Sequence, residues 1–172
     1  MKSIVAVDSK WGIGKKNDLL FHLSKDMSFF REKTLHKVIV MGSNTLKSFP
    51  GGNPLKGRIN VVFFPGGEKR DDCIVVDDIE ELKTVLAQYP TDNIYVVGGA
   101  MFYRTMLPYC DTAFVTKVEA DGKAEVFYED LDKSSTWEKV NESAPIEDNG
   151  YIIRFCTYKN NATIDFCGGN ND

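Results

Sequence analysis

The chain has 172 residues, 42% of them hydrophobic and 27% charged, with a formal net charge of -4. That is enough for one well-filled core and short for two domains. An acidic balance with no strongly basic face excludes a general nucleic-acid surface. The opening KSIVAVD is too short and soon charged for a signal peptide or a membrane span, so a cytoplasmic monomer that binds no nucleic acid and no membrane is expected.

In chain order, a first strand is expected over 2–8. The stretch SKWGIGKKNDLL follows it, with Gly12 and Gly14 as hinges around apolar Trp11 and Ile13. Such a loop can close over a site and exclude water, or be an ordinary surface loop with one buried aromatic. In NDLLFHLSKDMSFF, Ser24 is a good N-cap for a helix Ser24–Thr34, with Leu23, Met27, Phe30 and Thr34 as its inward stripe. Asp26 then falls at the border of that stripe, beneath Phe29 and Phe30. A first-turn acid gains roughly 0.3–1 kcal/mol from the helix dipole, which would explain it without any site. A partly desolvated carboxylate is nonetheless costly unless something donates to it. The helix alone leaves both readings open.

Further strands are expected over 38–41, 59–64, 73–76, 93–97, 112–118, 136–142 and 151–158. Between them lie a short helix after Gly42, one over Asp78–Gln88 capped by Asp78 with Glu81 three residues on, and one over Ala100–Leu107 ended by Pro108. INVVFF and NIYVV are nearly unbroken apolar runs, as in strands covered on both faces. The fold class is therefore α/β: a single domain over 1–159, with an eight-stranded mostly parallel sheet, a C-terminal antiparallel hairpin and four helices. The tail 160–172 is expected to be frayed. Cys73, Cys110, Cys156 and Cys167 form no C-x-x-C pair and are expected to be reduced. His22 and His36 lack partners at ligand spacing, so no metal is expected.

Ligands of such sheets sit beyond the carboxyl ends of the strands. In VVGGAMFY, Gly98 and Gly99 leave no Cβ between the backbone and an occupant of the following helix start, which suits a pyrophosphate but equally a tight turn. GSNT repeats the device, and two such turns could grip the halves of a dinucleotide. The Rossmann glycine fingerprint, the P-loop and the G-x-S-x-G elbow are all absent.

AVDSKWGIGKKNDLLFHLSKDMSFF, VIVMGSNTLKSF, PLKGRINVV, VVGGAMFY and VTKV together resemble the dihydrofolate reductase family, in order and at compatible spacing over about 1–158. The resemblance implies NADPH-dependent reduction of dihydrofolate, with antifolates as further ligands. It makes Asp26 the pterin-binding acid, supported by Thr116, and gives Val5 and Ala6 backbone contacts to the rings. Phe30, Phe49 and Leu55 would pack on the substrate, and Arg58 would hold its glutamate α-carboxylate. Ile13, Gly14, Asn17 and Leu19 would form the lid. Gly42, Ser43, Asn44, Thr45, Phe63, Phe64, Gly98, Gly99, Ala100, Met101 and Phe102 would contact cofactor, and Val97 and Tyr103 would border both ligands. The family usually joins the two glycines by a cis peptide.

The chain departs from the family in two places. Ser43 and Met101 stand where many members carry arginines for the cofactor 2′-phosphate, and Phe64 and Pro65 replace hydroxyl residues. NADPH selectivity over NADH is thus expected to be modest, with Lys69 or Arg70 of GGEKR as candidate replacements. Leu20 and Phe21 stand where proline and tryptophan are common, so no indole N–H is available there. Two rivals remain: the fold-related reductase of riboflavin biosynthesis, and a nucleotide-binding module without chemistry.

Overall fold

The computed structural model describes residues 1–168. Its elements are β1 (Lys2–Val7), β2 (Gly12–Gly14), α1 (Ser24–Thr34), β3 (Val38–Gly42), α2 (Ser43–Ser48), β4 (Ile59–Phe63), β5 (Ile74–Val76), α3 (Ile79–Leu86), β6 (Ile94–Gly98), α4 (Ala100–Met106), β7 (Thr112–Val118), β8 (Val126–Phe127), β9 (Trp137–Glu142), β10 (Ile146–Asp148) and β11 (Tyr151–Asn160). The sheet order is β10-β11-β7-β1-β6-β3-β4-β5. Strands β1 and β3 to β7 run parallel to one another, and β11 returns antiparallel to β7.

The expected C-terminal hairpin of β9 and β11 forms. Strand β10, inside the link ESAPIEDNG, has no counterpart in the sequence reading. It pairs with Tyr151–Ile153, while β9 pairs with Cys156–Asn160. The two short strands share one side of β11, so the sheet is eight positions wide. Asn149 (φ 51°) and Gly150 (φ 82°) form the two-residue turn between β10 and β11. Asn-Gly is the favoured pair for that turn, because both residues must take positive φ.

Two apolar layers cover the sheet. Val5, Val7, Val40, Val96 and Val115 face α3 and α4 through Leu82, Leu86, Phe102 and Met106. Ile4, Ile39, Met41, Val62 and Tyr95 face α1 and α2 through Phe29, Phe30 and Leu46. Asp78 caps α3 as expected, accepting from Glu81 N at 2.8 Å.

Three expectations are corrected. Ser24 is inside α1 rather than its cap; the cap residue is Leu23, which has no side-chain acceptor to offer. Met27 is 62% exposed, so the inward stripe of α1 runs through Asp26, Phe29, Phe30 and Thr34 instead. The tail through residue 168 packs rather than frays: Ile164 N donates to the Pro108 carbonyl, and buried Phe166 meets the Tyr109 ring edge-on at 4.9 Å. One aromatic among polar neighbours was a weak signal for that docking. Residues 169–172 of the tail lie outside the described residues.

Candidate active site

Parallel pairing aligns Ala6 of β1 with Thr116 of β7, and α1 crosses this face of the sheet. The Thr116 hydroxyl donates to Asp26 Oδ1 at 2.7 Å. Among the described residues nothing in the protein donates to Oδ2. Burial raises the Asp26 pKa above its ordinary value. The Thr116 hydrogen bond opposes that shift, and the negative charge of Asp148 adds to it. The dipole alone therefore does not account for this acid, which stands partly desolvated with one oxygen left for a donor from outside. Tyr103 of α4 reaches under β1 to donate to the Ile4 carbonyl at 2.6 Å. Its phenol is pushed far up, by burial first and then by the Asp26 charge.

Phe30, Phe49, Leu55, Phe64 and Val97 come together on this face, against Ile4, Met41 and Leu46. Val5 points to the opposite layer, so only its backbone can serve a ligand here, as expected of it. Arg58 lies beyond the far end of α1. Its Nε donates to Thr34 Oγ1 at 3.2 Å and its Nη1 to the Lys56 carbonyl at 2.9 Å, which fixes the plane of the guanidinium. Burial and the neighbouring Arg31 both lower its pKa, so two cations share this end of the cleft.

At the carboxyl ends of β3 and β6 the two glycine turns meet. The Gly98–Gly99 peptide is cis. Val40 pairs with Val96 and Met41 with Gly98, which leaves Val97 as the extra residue of a bulge. A Cβ on Gly98 would sit 2.9 Å from Thr45 Oγ1, and one on Gly99 3.4 Å from it, so the Thr45 hydroxyl is held against bare backbone. Beside the start of α2 is a cavity of about 410 Å³, bordered by Ser43, Lys47, Phe64, Gly66, Glu68 and Arg70. Two cations against the single carboxylate of Glu68, with a hydroxyl and an aromatic face, suit the phosphate and base of a dinucleotide, so the residues present fit the expected cofactor. Arg70 is paired with Asp72 through two bonds, at 2.8 and 2.7 Å. Lys69 turns away, to Glu81 and the Val75 carbonyl.

Not every expected contact gathers here. Phe63 and Phe102 stack on each other at 5.8 Å, and Phe102 is buried in the α3/α4 layer. Met101 is 81% exposed at the start of α4, beside Ala100. In the loop, Trp11 is buried and stacked on Tyr128, and Gly14 accepts from Glu125 N at 2.8 Å. Asn17 and Leu19 are exposed, while Ile13 packs partly on the core. Gly12 and Gly14, expected as hinges, are instead buried and paired antiparallel with β8.

Several supporting residues leave little trace in the sequence. Asp8 accepts from the backbone N–H groups of Lys10, Gly12 and Gly122. Asn60 holds the loop before Arg58 by bonds to Leu55 N, Leu55 O and Arg58 O. Lys47 joins the cofactor cavity, Arg31 the arginine end, and the Ile4 carbonyl the ring site. Asp148 accepts from Ser24 Oγ and Lys25 N. Only Asp8, an acid next to a Gly-rich loop, carried a usable signal, because such side chains cap local turns.

Comparison with known proteins agrees with this geometry. The family model for dihydrofolate reductase matches residues 1–160. The dihydrofolate reductase of Bacillus subtilis (strain 168) is 30% identical over 159 residues, covering 91% of this chain and 92% of that protein. A putative dihydrofolate reductase of Caenorhabditis elegans is 32% identical, covering 92% and 96%. Among solved structures, the dihydrofolate reductase from Enterococcus faecalis complexed with NADP(H) and RAB-propyl superposes with a TM-score of 0.81 at 29% identity, covering 93% of this chain and 95% of that one. With the family model spanning residues 1–160 and relatives of 30% and 32% identity covered over more than nine-tenths of their length, this chain belongs to the dihydrofolate reductase family.

Proposed function

We propose that the chain reduces 7,8-dihydrofolate to 5,6,7,8-tetrahydrofolate with NADPH and one proton, releasing NADP⁺. One observation carries this reading. Asp26 is a partly buried carboxylate with Thr116 on one oxygen and, among the described residues, no protein donor on the other. The N3–H and 2-amino group of a pterin offer two donors at the spacing a carboxylate accepts.

Bound NADPH supplies the hydride delivered to C6 of the pterin. The chain's own part is to bind and orient. Asp26 anchors the 2-amino edge, with Thr116 fixing its rotamer. Phe30, Phe49 and Leu55 enclose the substrate rings, and Val5 and Ala6 offer backbone polar groups to them. Val97 and Tyr103 border the place where the two ligands meet. Arg58, with Arg31 near it, presents positive charge to the dicarboxylate tail. Gly42 to Thr45 and Gly98 to Phe102 give backbone and hydroxyl groups to the cofactor, with Phe63 and Phe64 beside them, and Lys47 and Arg70 supply its cations. Ile13, Gly14, Asn17 and Leu19 cover the nicotinamide and exclude water. N5 lies across the bicycle from the 2-amino edge, so its proton comes from water rather than from Asp26. Holding two flat rings together in this way is the main catalytic device available here.

The protein acts as a cytoplasmic monomer, binds antifolates at the same acid, and has no nucleic-acid or membrane partner. No described helix is long and apolar enough to cross a membrane. Domain 1–159 carries all of the proposed chemistry. Of the rivals, a ribosylated pyrimidine has no use for the arginine end, and a module without chemistry has no use for a desolvated acid. The test follows NADPH oxidation with dihydrofolate, with the ribosylated pyrimidine, and with neither. Turnover only in the first is expected; turnover only in the second, or in none, overturns the proposal.

A further inference from the structure

The N-terminus of α1 is held by another part of the chain. Its first N–H groups need acceptors, and Leu23 at the cap position provides none. Asp148, at the end of β10 and 4% exposed, takes that role: Oδ2 accepts from Lys25 N at 2.8 Å and Oδ1 from Ser24 Oγ at 3.2 Å. The same hairpin grips the segment in three more places. Asn149 Nδ2 donates to the His22 carbonyl at 3.0 Å, Lys25 Nζ donates to the Glu147 carbonyl at 2.6 Å, and the Tyr151 ring meets Phe21 at 4.8 Å. Lys25 is followed directly by Asp26.

We infer that Asp148 is a positioning residue for Asp26: the β10–β11 hairpin uses this buried carboxylate to cap α1 and so fixes the turn on which the substrate-binding acid stands. A capping side chain on the helix itself would satisfy the same N–H groups but would not tie the helix to the sheet edge. Asp148 does both. Its negative charge also reaches Asp26 and favours the protonated carboxyl. Few other ionisable groups face Asp26. Tyr103 of α4 feels its charge from below, and Lys25 on α1 is held at Glu147 O. On α1, Lys33 lies over Phe29 and Phe114, and on β7 Lys117 faces Trp11 and Asp132.

The inference rests on Asp26 being the substrate acid, but its central measurement needs no substrate. Carboxyl-carbon NMR, with the Asp26 signal identified by its loss in Asp26→Asn, follows the titration of Asp26 in the free protein. In Asp148→Asn, which keeps an acceptor oxygen but loses the charge, that titration is expected to move to lower pH. Ser24→Ala, which removes one donor and keeps the charge, is expected to leave it in place. Asp148→Ala is expected to lower Tm by about 2–6 °C through the lost cap. It is also expected to raise the dihydrofolate KM roughly tenfold, as small misplacements of a binding group do. If the Asp26 titration stays put in Asp148→Asn and Asp148→Ala loses Tm alone, Asp148 is merely structural and the inference is overturned. Should Asp148→Ala fail to fold, the asparagine variant carries the test. A shifted titration in a protein that does not reduce dihydrofolate would sustain the coupling while removing the proposed activity.

Discussion

Replacing Asp26 by asparagine keeps the shape of the side chain and changes two things in opposite directions. Toward the substrate, an amide presents N–H groups where the pterin edge also presents donors. Two charge-assisted contacts, each worth about 1.5–3 kcal/mol, are lost or reversed, so kcat/KM is expected to fall by roughly 10²–10⁴. Toward the fold, the loss is small, because an asparagine oxygen can still accept from Thr116 Oγ1 at the observed 2.7 Å. What disappears is the cost of a desolvated charge. The Asp26 pKa in the folded protein lies above its ordinary value of 3.8, mainly through burial. The folded protein therefore keeps a proton there that the unfolded chain releases. Stability from this group is complete below the unfolded pKa and is lost as pH rises through the folded one. At neutral pH the asparagine variant is thus expected to be more stable by on the order of 1 kcal/mol, or about 2–4 °C in Tm. Below pH 3.8 that advantage should vanish. Initial rates of NADPH oxidation and thermal melts at both pH values measure the two halves. A kcat/KM within threefold of the parent, or a Tm gain that does not depend on pH, would refute the reasoning.

Three further outcomes are expected. Arg58→Leu should raise the dihydrofolate KM roughly 10–100-fold, the scale of one or two charge-assisted bonds, and leave a pterin without the glutamate tail unaffected; an equal loss for both ligands counts against the assignment. Arg70→Ala should reduce kcat/KM for NADPH about tenfold and leave NADH nearly unchanged, since Arg70 borders the cavity next to Ser43; parallel losses would place the 2′-phosphate elsewhere. Gly12→Ala would put a Cβ 2.3 Å from the Ala124 Cβ and 2.9 Å from the Asp8 carboxylate. Overpacking on that scale costs about 1–3 kcal/mol, so a calorimetric Tm loss of several degrees is expected; an unchanged Tm would show that the β2–β8 ribbon can slide.

Periodicity and turn chemistry made most of the frame legible. The apolar runs of β3, β4 and β6 and the Asp78 cap of α3 lie where unbroken hydrophobic stretches and the cap residue put them. Periodicity alone places the inward face of α1 one position away, because Met27 is as apolar as its neighbours and only the path of the helix across the sheet decides which of them is covered. Asp26 was legible as an anomaly, but its partner Thr116 is 90 residues away and came from the family pattern, not from spacing. Strand β10 is hidden in the sequence by Glu147 and Asp148, two acids whose polarity masks a strand of three residues. The Asn149–Gly150 turn did advertise it. Long-range supports such as Asp148 leave no local trace, since their meaning depends on which strand the sheet places beside which helix.

The three-way grip of Asp8 has a consequence for loop engineering. One side chain gathers amides from two loops, at Lys10, Gly12 and Gly122, so the roots of both loops form a single anchored unit. Grafts or length changes placed between Lys15 and Leu20 begin beyond this anchor and leave it whole. An insertion of a single residue between Asp8 and Gly12 would unseat both loops together.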